Sequence, residues 1–499
     1  MTLADEISGG LMDGLNERQQ AAVVAPGTPL CIRAGAGTGK TRVLTRRIAH
    51  QAAIDAIDPE RTLALTFTRK AADEMHHRLA TLGLRGKVRA GTFHRAAFAQ
   101  LRTRWAERNV RPPELLQDKR GLLARVANQA GVRLGRVERQ EAVAEIEWAK
   151  ARRISPNGYL ETAPRLGRQT ALPPDRIAEL YRRYEQEKVK RRVVDFDDLL
   201  SLALRDLTDD PEYAEACRWR FPHVFVDEFQ DVNPLQFDLL RAWLGERNDL
   251  CAVGDPNQAI YGWNGADADY IERFGHWFPG ATVLELVDNY RSTPQILAAG
   301  RAVLPPGAAA LVAHQLDGPR PKVHTHATDA DEAVAVARAL RDAKGPETAW
   351  SSMAVLARTN AQTATLATAL RRAMIPFRVR AEARRGDHDA KDPPATTGDA
   401  VDVATFHAAK GLEWPIVHLV GLEQGLVPIS RAQTPAEIAE ERRLLYVAIT
   451  RAQQELHCHW AGERAFGDRT SPRSPSPYLN AIVNAATHYK GAGRAPARR

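Results

Sequence analysis

Ala34-Gly35-Ala36-Gly37-Thr38-Gly39-Lys40-Thr41 is the stretch that decides the fold class. An apolar run from Leu30 to Ile32 precedes it, and a helical pattern from Arg42 to His50 follows. Strand, glycine-rich loop and helix form the setting that a phosphate-binding loop requires. Glycines let backbone N–H groups close around phosphate oxygens, and the helix N-terminus adds the positive end of its dipole. Lys40 is placed to reach the β and γ phosphates, and the Thr41 hydroxyl to bind Mg²⁺. The strict pattern has glycine where Ala34 stands, so the match is one residue short.

Length suggests about three domains at roughly 150 residues each, and 44% apolar residues supply enough material for their cores. Lysine and arginine number 69 against 61 acidic residues, a net +8 that leans toward a polyanionic partner. Cys31, Cys217, Cys251 and Cys458 stand singly, which gives a zinc ribbon or iron–sulfur site no support. His457-Cys458-His459 lies in Glu455–Trp460, which reads as a strand with alternating faces rather than a metal site. No signal-like N-terminus and no apolar run of membrane-spanning length is seen, so the expectation is a cytoplasmic protein with reduced thiols and no membrane partner.

Going along the chain, Asn16 can cap a helix that carries Gln19. Leu63–Phe67 reads as a buried parallel strand with Phe67 at its end, the edge where open α/β sheets place ligands. Gly91-Thr92-Phe93-His94 opens a helix. From about Ala96 to Val194 the pattern is helical and arginine-rich, with amphipathic segments at Glu141–Arg153 and Arg176–Arg192. The second carries Arg182, Arg183, Lys188, Lys190, Arg191 and Arg192, either a solvated face or a phosphate-tracking one. Asp195–Leu200 looks like a capped helix start. Strand Phe221–Val226 ends in Asp227-Glu228-Phe229-Gln230-Asp231. Asp227 can hold Mg²⁺, and Glu228 can orient the attacking water of phosphoryl transfer. Strand Leu250–Val253 leads to Gln258, a candidate phosphate sensor, and then to Tyr261 and Trp263. Strand Val283–Val287 leads to Asn289-Tyr290-Arg291-Ser292. A second α/β unit follows, with helices at Ala330–Ala343 and Ala361–Met374 and strands at Met353–Leu356, Phe377–Val379 and Val401–Thr405. Ala381–Asp399 reads as a linker or long loop, His407–Trp414 as a turn, and Ala436–Thr450 as a helix ending at Arg451.

Taken together and in this order, these motifs resemble the UvrD/Rep/PcrA group of superfamily 1 DNA helicases over nearly the whole chain. The resemblance implies an α/β fold of two RecA-like P-loop domains with a helical insertion in the first. The first domain, 1A, would comprise 1–95 and 195–293, interrupted by helical subdomain 1B at 96–194. The second, 2A, would comprise 294–380 and 400–486, with 381–399 a vestige of the family's 2B subdomain and 487–499 a basic tail. It implies ATP-driven 3′→5′ movement on single-stranded DNA and at single-strand/duplex junctions, in repair, replication restart or recombination. The alternative is a DNA-stimulated ATPase subunit of a larger repair or phage-defence complex, with a protein partner replacing 2B.

By position, Gln19 would read adenine, Arg42 would line the nucleotide site and Tyr290 would stack on the base. Lys40 and Thr41 would bind phosphate and Mg²⁺, Asp227 would hold Mg²⁺ and Glu228 would be the general base. Gln258 would sense the γ phosphate, Arg291 and Arg451 would be arginine fingers from opposite sides of a cleft, and Glu413 would contact ribose. Phe67, Tyr261 and Trp263 would stack on bases, while His94, Arg358, Asn360 and His407 would hold the strand. Three positions depart from the family: Arg69, Gly262 and Asn264.

Overall fold

The computed structural model describes residues 10–380, 398–466 and 469–487. The strands of its two large sheets are numbered β1 to β13 in chain order. The first sheet contains β1 (Leu30–Ala34), β2 (Thr62–Thr66), β3 (Arg89–Thr92), β4 (His223–Val226), β5 (Leu250–Gly254) and β6 (Thr282–Leu286). It is parallel throughout, in the order β3-β2-β4-β5-β1-β6. Parallel sheets are covered on both faces, so their strands read as unbroken apolar runs. Here one face packs on a core that includes Leu65, Phe93, Phe196, Val226 and Leu240, the other on Ile32, Val43, Ile48, Met75 and Val253.

The second sheet contains β7 (Lys322–Thr328), β8 (Met353–Ala357), β9 (Phe377–Arg380), β10 (Val401–Thr405), β11 (Trp414–Val420), β12 (Ala452–Phe466) and β13 (Arg469–Pro472). Its order is β7-β12-β11-β8-β10-β9, with β13 antiparallel to β12. Helix Pro435–Ile449 and helix Pro294–Val303 meet one core, helices Asp329–Ala343 and Asn360–Arg372 the other. The fold is thus two RecA-like α/β lobes, as the motifs imply.

Within the predicted helical insertion, helices Lys119–Gln129, Arg136–Ala151, Pro156–Arg165 and Pro174–Arg191 enclose a separate core around Leu123, Ile146, Trp148, Ile177 and Tyr181. The basic run on the last of these is in part committed to ion pairs, while Lys190 and Arg192 remain exposed. Lys188 is 2% exposed and pairs with Asp195 and Asp198 at 3.0 and 2.6 Å. Lys150 pairs with the same two carboxylates, and Lys119 with Asp197 and Glu147. Arg182 and Arg183 both reach Glu179, and Arg191 reaches Glu187. Asp195 does cap its helix, accepting from Asp198 N, yet the same residue anchors the insertion to the first lobe. Burial opposes its charge, but the lysines hold it well below the usual carboxylate range. The linker Ala381–Asp399 lies outside the described residues except for 398–399, and so does the basic tail beyond Thr487.

β12 does alternate as expected: Leu456 and Cys458 enter one core, while His457 and His459 face the other way. There they join His324 and His326 of β7 and His418 of β11. His324 stacks on His459 and His418 on His457, each pair with ring centroids 4.5 Å apart. Ring nitrogens pair along two columns, His324 with His457 at 3.2 Å, and His326–His459–His418 at 3.1 and 3.0 Å. Every such N–H···N bond needs a neutral acceptor ring. Burial, reinforced by neighbouring imidazoles, pushes His418 and His459 well below the ordinary histidine range. Among the described residues, no three of these histidines converge on one point as metal ligands do.

Candidate nucleotide and strand sites

The phosphate loop leaves β1 and enters helix Lys40–Ala53, whose N-cap Gly39 adopts φ +82°. Gly37 has φ +67°, and a Cβ there would lie 2.5 Å from Asn289 Nδ2 and 2.7 Å from Arg291 Cβ, so this position admits only glycine. The loop is gripped from several sides: Gln19 Nε2 donates to Thr38 O (2.9 Å), Asn289 Nδ2 to Ala36 O (2.6 Å) and Tyr290 N to Gly37 O (3.0 Å). Gln19 also completes a capping box with Asn16, so both ends of its amide are engaged by the chain. Ala34 is the last residue of β1, 1% exposed in the apolar core beside Val253 and Leu286.

At the end of β4, Asp227 Oδ2 accepts from the Thr41 hydroxyl at 2.8 Å. That pair joins the loop to the acidic dipeptide as a hard-oxygen donor set. Burial and the neighbouring Glu228 push the Asp227 carboxyl up to about 6. Glu228 moves the other way. Burial opposes its ionisation, but Lys40, Lys410, the Gln230 amide and Arg451 hold it down to about 2. Its backbone is left-handed, φ +54°, a strained setting for a non-glycine residue and one met at functional sites. Gln230 Oε1 accepts from Asp255 N (2.9 Å) and its amide donates to Glu228. Asp255 in turn accepts from Gln258 Nε2 at 2.7 Å.

Arg291 stands beside the phosphate loop of the first lobe, its Cβ 2.7 Å from where a Gly37 Cβ would lie, and Arg451 stands in the second. Arg291 is bonded to Glu413 of the second lobe. Its neighbours are stitched to the residues after Arg451, Ser292 Oγ to Ala452 O (2.6 Å) and Thr293 N to Gln453 O (3.0 Å). Arg451 is 1% exposed and donates to Val447 O and Leu412 O. Burial, then the charge of Arg291, pulls it down to about 9. Glu413, expected at ribose, also accepts from Gln453 Nε2 at 3.1 Å. Tyr290 is 40% exposed and accepts from Asn16 Nδ2 at its hydroxyl. Arg42 donates to Asp13 O at the start of its helix.

On the strand side, Tyr261, Trp263 and His407 form one cluster with ring centroids 6.1 to 6.5 Å apart, and Trp263 is 39% exposed. Burial, with Arg358, Arg431 and Lys410 nearby, pushes His407 down to about 3, so it is neutral at physiological pH. Gly262 lies against the Glu440 carboxylate of the second lobe, which would have to shift to admit a Cβ there. Phe67 lies just beyond β2, 5.7 Å from Phe93, and His94 is 6.3 Å from Phe196, both outside the Tyr261 cluster. Arg358 is 7% exposed and bound through two nitrogens to Glu441. Asn360 is exposed at the first turn of its helix.

Lys410 carries an interaction the sequence did not assign. From the turn after β10 it reaches across to the first lobe, donating to both oxygens of Asp231 (2.9 and 2.6 Å) and to Gln258 O (2.9 Å), with Nζ 5.0 Å from the Tyr261 ring centroid. One side chain therefore touches the acidic motif, the Gln258 turn and an aromatic of the strand cluster.

The sequence matches known families and proteins along its length. Residues 15–279 match the UvrD/REP helicase N-terminal domain, and residues 284–384 and 387–463 the UvrD-like helicase C-terminal domain. The ATP-dependent DNA helicase UvrD2 of Mycobacterium tuberculosis is 34% identical over 95% of this chain and 82% of its own length. The ATP-dependent DNA helicase PcrA of Leuconostoc citreum is 28% identical over 95% and 85%, and DNA helicase II of Escherichia coli 33% identical over 74% and 52%. With both halves matched in order around a phosphate loop and an acidic dipeptide, the chain belongs to the UvrD-like ATP-dependent DNA helicases.

Proposed function

We propose that this helicase moves 3′→5′ along single-stranded DNA in the cytoplasm, in DNA repair, replication restart or recombination, powered by ATP hydrolysis between its lobes. The observation that carries the reading is the Thr41–Asp227 contact beside a Glu228 that Lys40, Lys410 and Arg451 keep ionised. Thr41 and Asp227 would hold Mg²⁺, which supplies charge neutralisation on the phosphate oxygens. Lys40 and the loop amides from Gly35 to Gly39 bind the phosphates. Glu228 orients the attacking water and takes its proton. Gln258 senses the γ phosphate from a position set by Asp255, and Arg291 with Arg451 neutralises charge developing on the transferred group. Gln19, Arg42 and Tyr290 bound the base, with Glu413 on the ribose side.

Tyr261, Trp263 and Phe67 stack on bases, a contact every base can make, and His94, Arg358, Asn360 and His407 line the strand. Arg358 reaches DNA only by loosening its hold on Glu441.

The family's 2B subdomain has only 381–399 to occupy. In keeping with that, the match to UvrD2 spans 581 aligned positions against 499 residues here, so the relative carries segments without counterpart. This favours a second reading alongside the first, a DNA-stimulated ATPase that unwinds long duplexes only with a partner protein. ATPase and unwinding measured together on 3′-tailed, 5′-tailed and blunt duplexes test both. Faster unwinding from 5′ tails would refute the polarity, and processive unwinding by the isolated chain would refute the need for a partner.

A further inference from the structure

The base end of the nucleotide site is bounded by a strap that the motifs leave unexplained. After helix Pro294–Val303 the chain turns back, and Val312–Ala313 pairs in parallel with Asp288–Asn289. Val312 N donates to Val287 O and His314 N to Asn289 O, both at 2.8 Å. Leu311 is thereby laid over Gly35 of the phosphate loop. The His314 imidazole stacks on Tyr290, centroids 4.5 Å apart and planes 24° from parallel. Its Nε2–H donates to Asp288 Oδ1 at 2.9 Å, which fixes the ring's orientation. Gln315 Nε2 donates to Tyr290 O at 2.7 Å. Tyr290 is thus held at its amide by Gly37, at its hydroxyl by Asn16, at its carbonyl by Gln315 and on one ring face by His314. Among the described residues no second ring stacks on Tyr290, and 40% of the residue remains exposed.

We propose that His314 is a positioning residue for the nucleotide base: it backs Tyr290 from the strap side so that a purine completes a three-layer stack on the opposite face. The inference rests on the reading of Tyr290 as the base-stacking ring. Unsupported, a half-exposed tyrosine samples several χ1 wells and loses part of its stacking free energy in being fixed. Backed by a ring that Asp288 holds, it presents one orientation to the base. Offset stacking is the favoured arrangement for such rings.

The test is steady-state DNA-stimulated hydrolysis by the full chain, with KM for ATP and kcat measured for His314→Ala, His314→Phe and Tyr290→Ala. Inorganic tripolyphosphate, which lacks a base, serves as competitive inhibitor. His314→Ala is expected to raise KM about two- to tenfold, the range of one aromatic pair, with a smaller change in kcat and an unaltered tripolyphosphate inhibition constant. His314→Phe is expected to restore KM. If Tyr290→Ala raises KM while His314→Ala does not, the strap is idle and the proposal is wrong, with the Tyr290 reading intact. A lower KM in His314→Ala would mean that the imidazole occupies the base's own place, which also overturns it. Failure of phenylalanine to rescue would rule out stacking as the cause. If Tyr290→Ala itself leaves KM unchanged, the underlying reading falls and takes the proposal with it.

Discussion

Replacing Lys410 by methionine keeps the stem and removes the charge that spans the lobes. Both Lys410 and Asp231 are buried where the lobes meet, at 8% and 3% side-chain exposure. Breaking such a pair inside a rigid protein costs about 3–5 kcal/mol. Here the partners sit on different lobes, so opening lets water reach Asp231 and recovers part of that cost. What remains for turnover is the charge-assisted hydrogen-bond share, about 1.5–3 kcal/mol, which corresponds to roughly a ten- to 150-fold loss of kcat. Melting should change much less than turnover, because each lobe keeps its own cores. The assay is DNA-stimulated ATPase of Lys410→Met, Asp231→Asn and the double variant. A coupling of at least ~1 kcal/mol between the two sites is expected for residues in direct contact. Turnover within threefold of the parent, or fully additive losses, would refute the idea that this contact holds the lobes shut.

Glu228→Gln should lower kcat by about 100- to 10,000-fold, the usual share of a positioned base, while fluorescent-nucleotide affinity persists; near-parent turnover would show that another group orients the water. Trp263→Ala should weaken single-strand binding by about 1–3 kcal/mol if the ring stacks on a base; melting measured alongside separates this from a loss of packing. The histidine columns give the fold an acid limit. Their folded-state pKa values lie below the unfolded 6.5, so the unfolded chain binds more protons. Their stabilising share is complete above that pH and is lost as pH falls below it. The two most buried, His418 and His459, give a slope approaching about 2.7 kcal/mol per pH unit between roughly pH 6 and pH 5. Urea melts across pH 7.5 to 5 should show this slope flattened in a His418→Gln/His459→Gln variant; parallel slopes would count against it.

The nucleotide motif was legible because its chemistry is local. A phosphate loop, an acidic pair after a strand and a capping residue each occupy a few consecutive positions, and glycine at residue 37 is demanded by backbone geometry. What escaped depends on partners far away in the chain. Lys410 meets Asp231 across 179 positions, and His324 meets His457 across 133. Lys188 was readable as surface charge because helical periodicity says nothing of the two aspartates, Asp195 and Asp198, awaiting it at the next helix start. The bond from Arg291 to Glu413 escaped for the same reason: the backbone of Arg291 lies at the first lobe's phosphate loop, while its guanidinium meets a carboxylate more than a hundred positions away.

That last arrangement bears on how motion is geared. Asn289 and Tyr290 are fastened to the phosphate loop, Ser292 and Thr293 to the residues after Arg451. The chain therefore passes from one body to the other within a single turn, with Arg291 on the axle. Rotation about it sweeps a short arc at the guanidiniums and a long one at the distant edges of the lobes, as a lever does. Small torsional changes beside Arg291, of the size a phosphate's arrival or departure can impose, would then emerge magnified at the far edges of the lobes. Label pairs placed across the lobes should change separation in proportion to their distance from this turn.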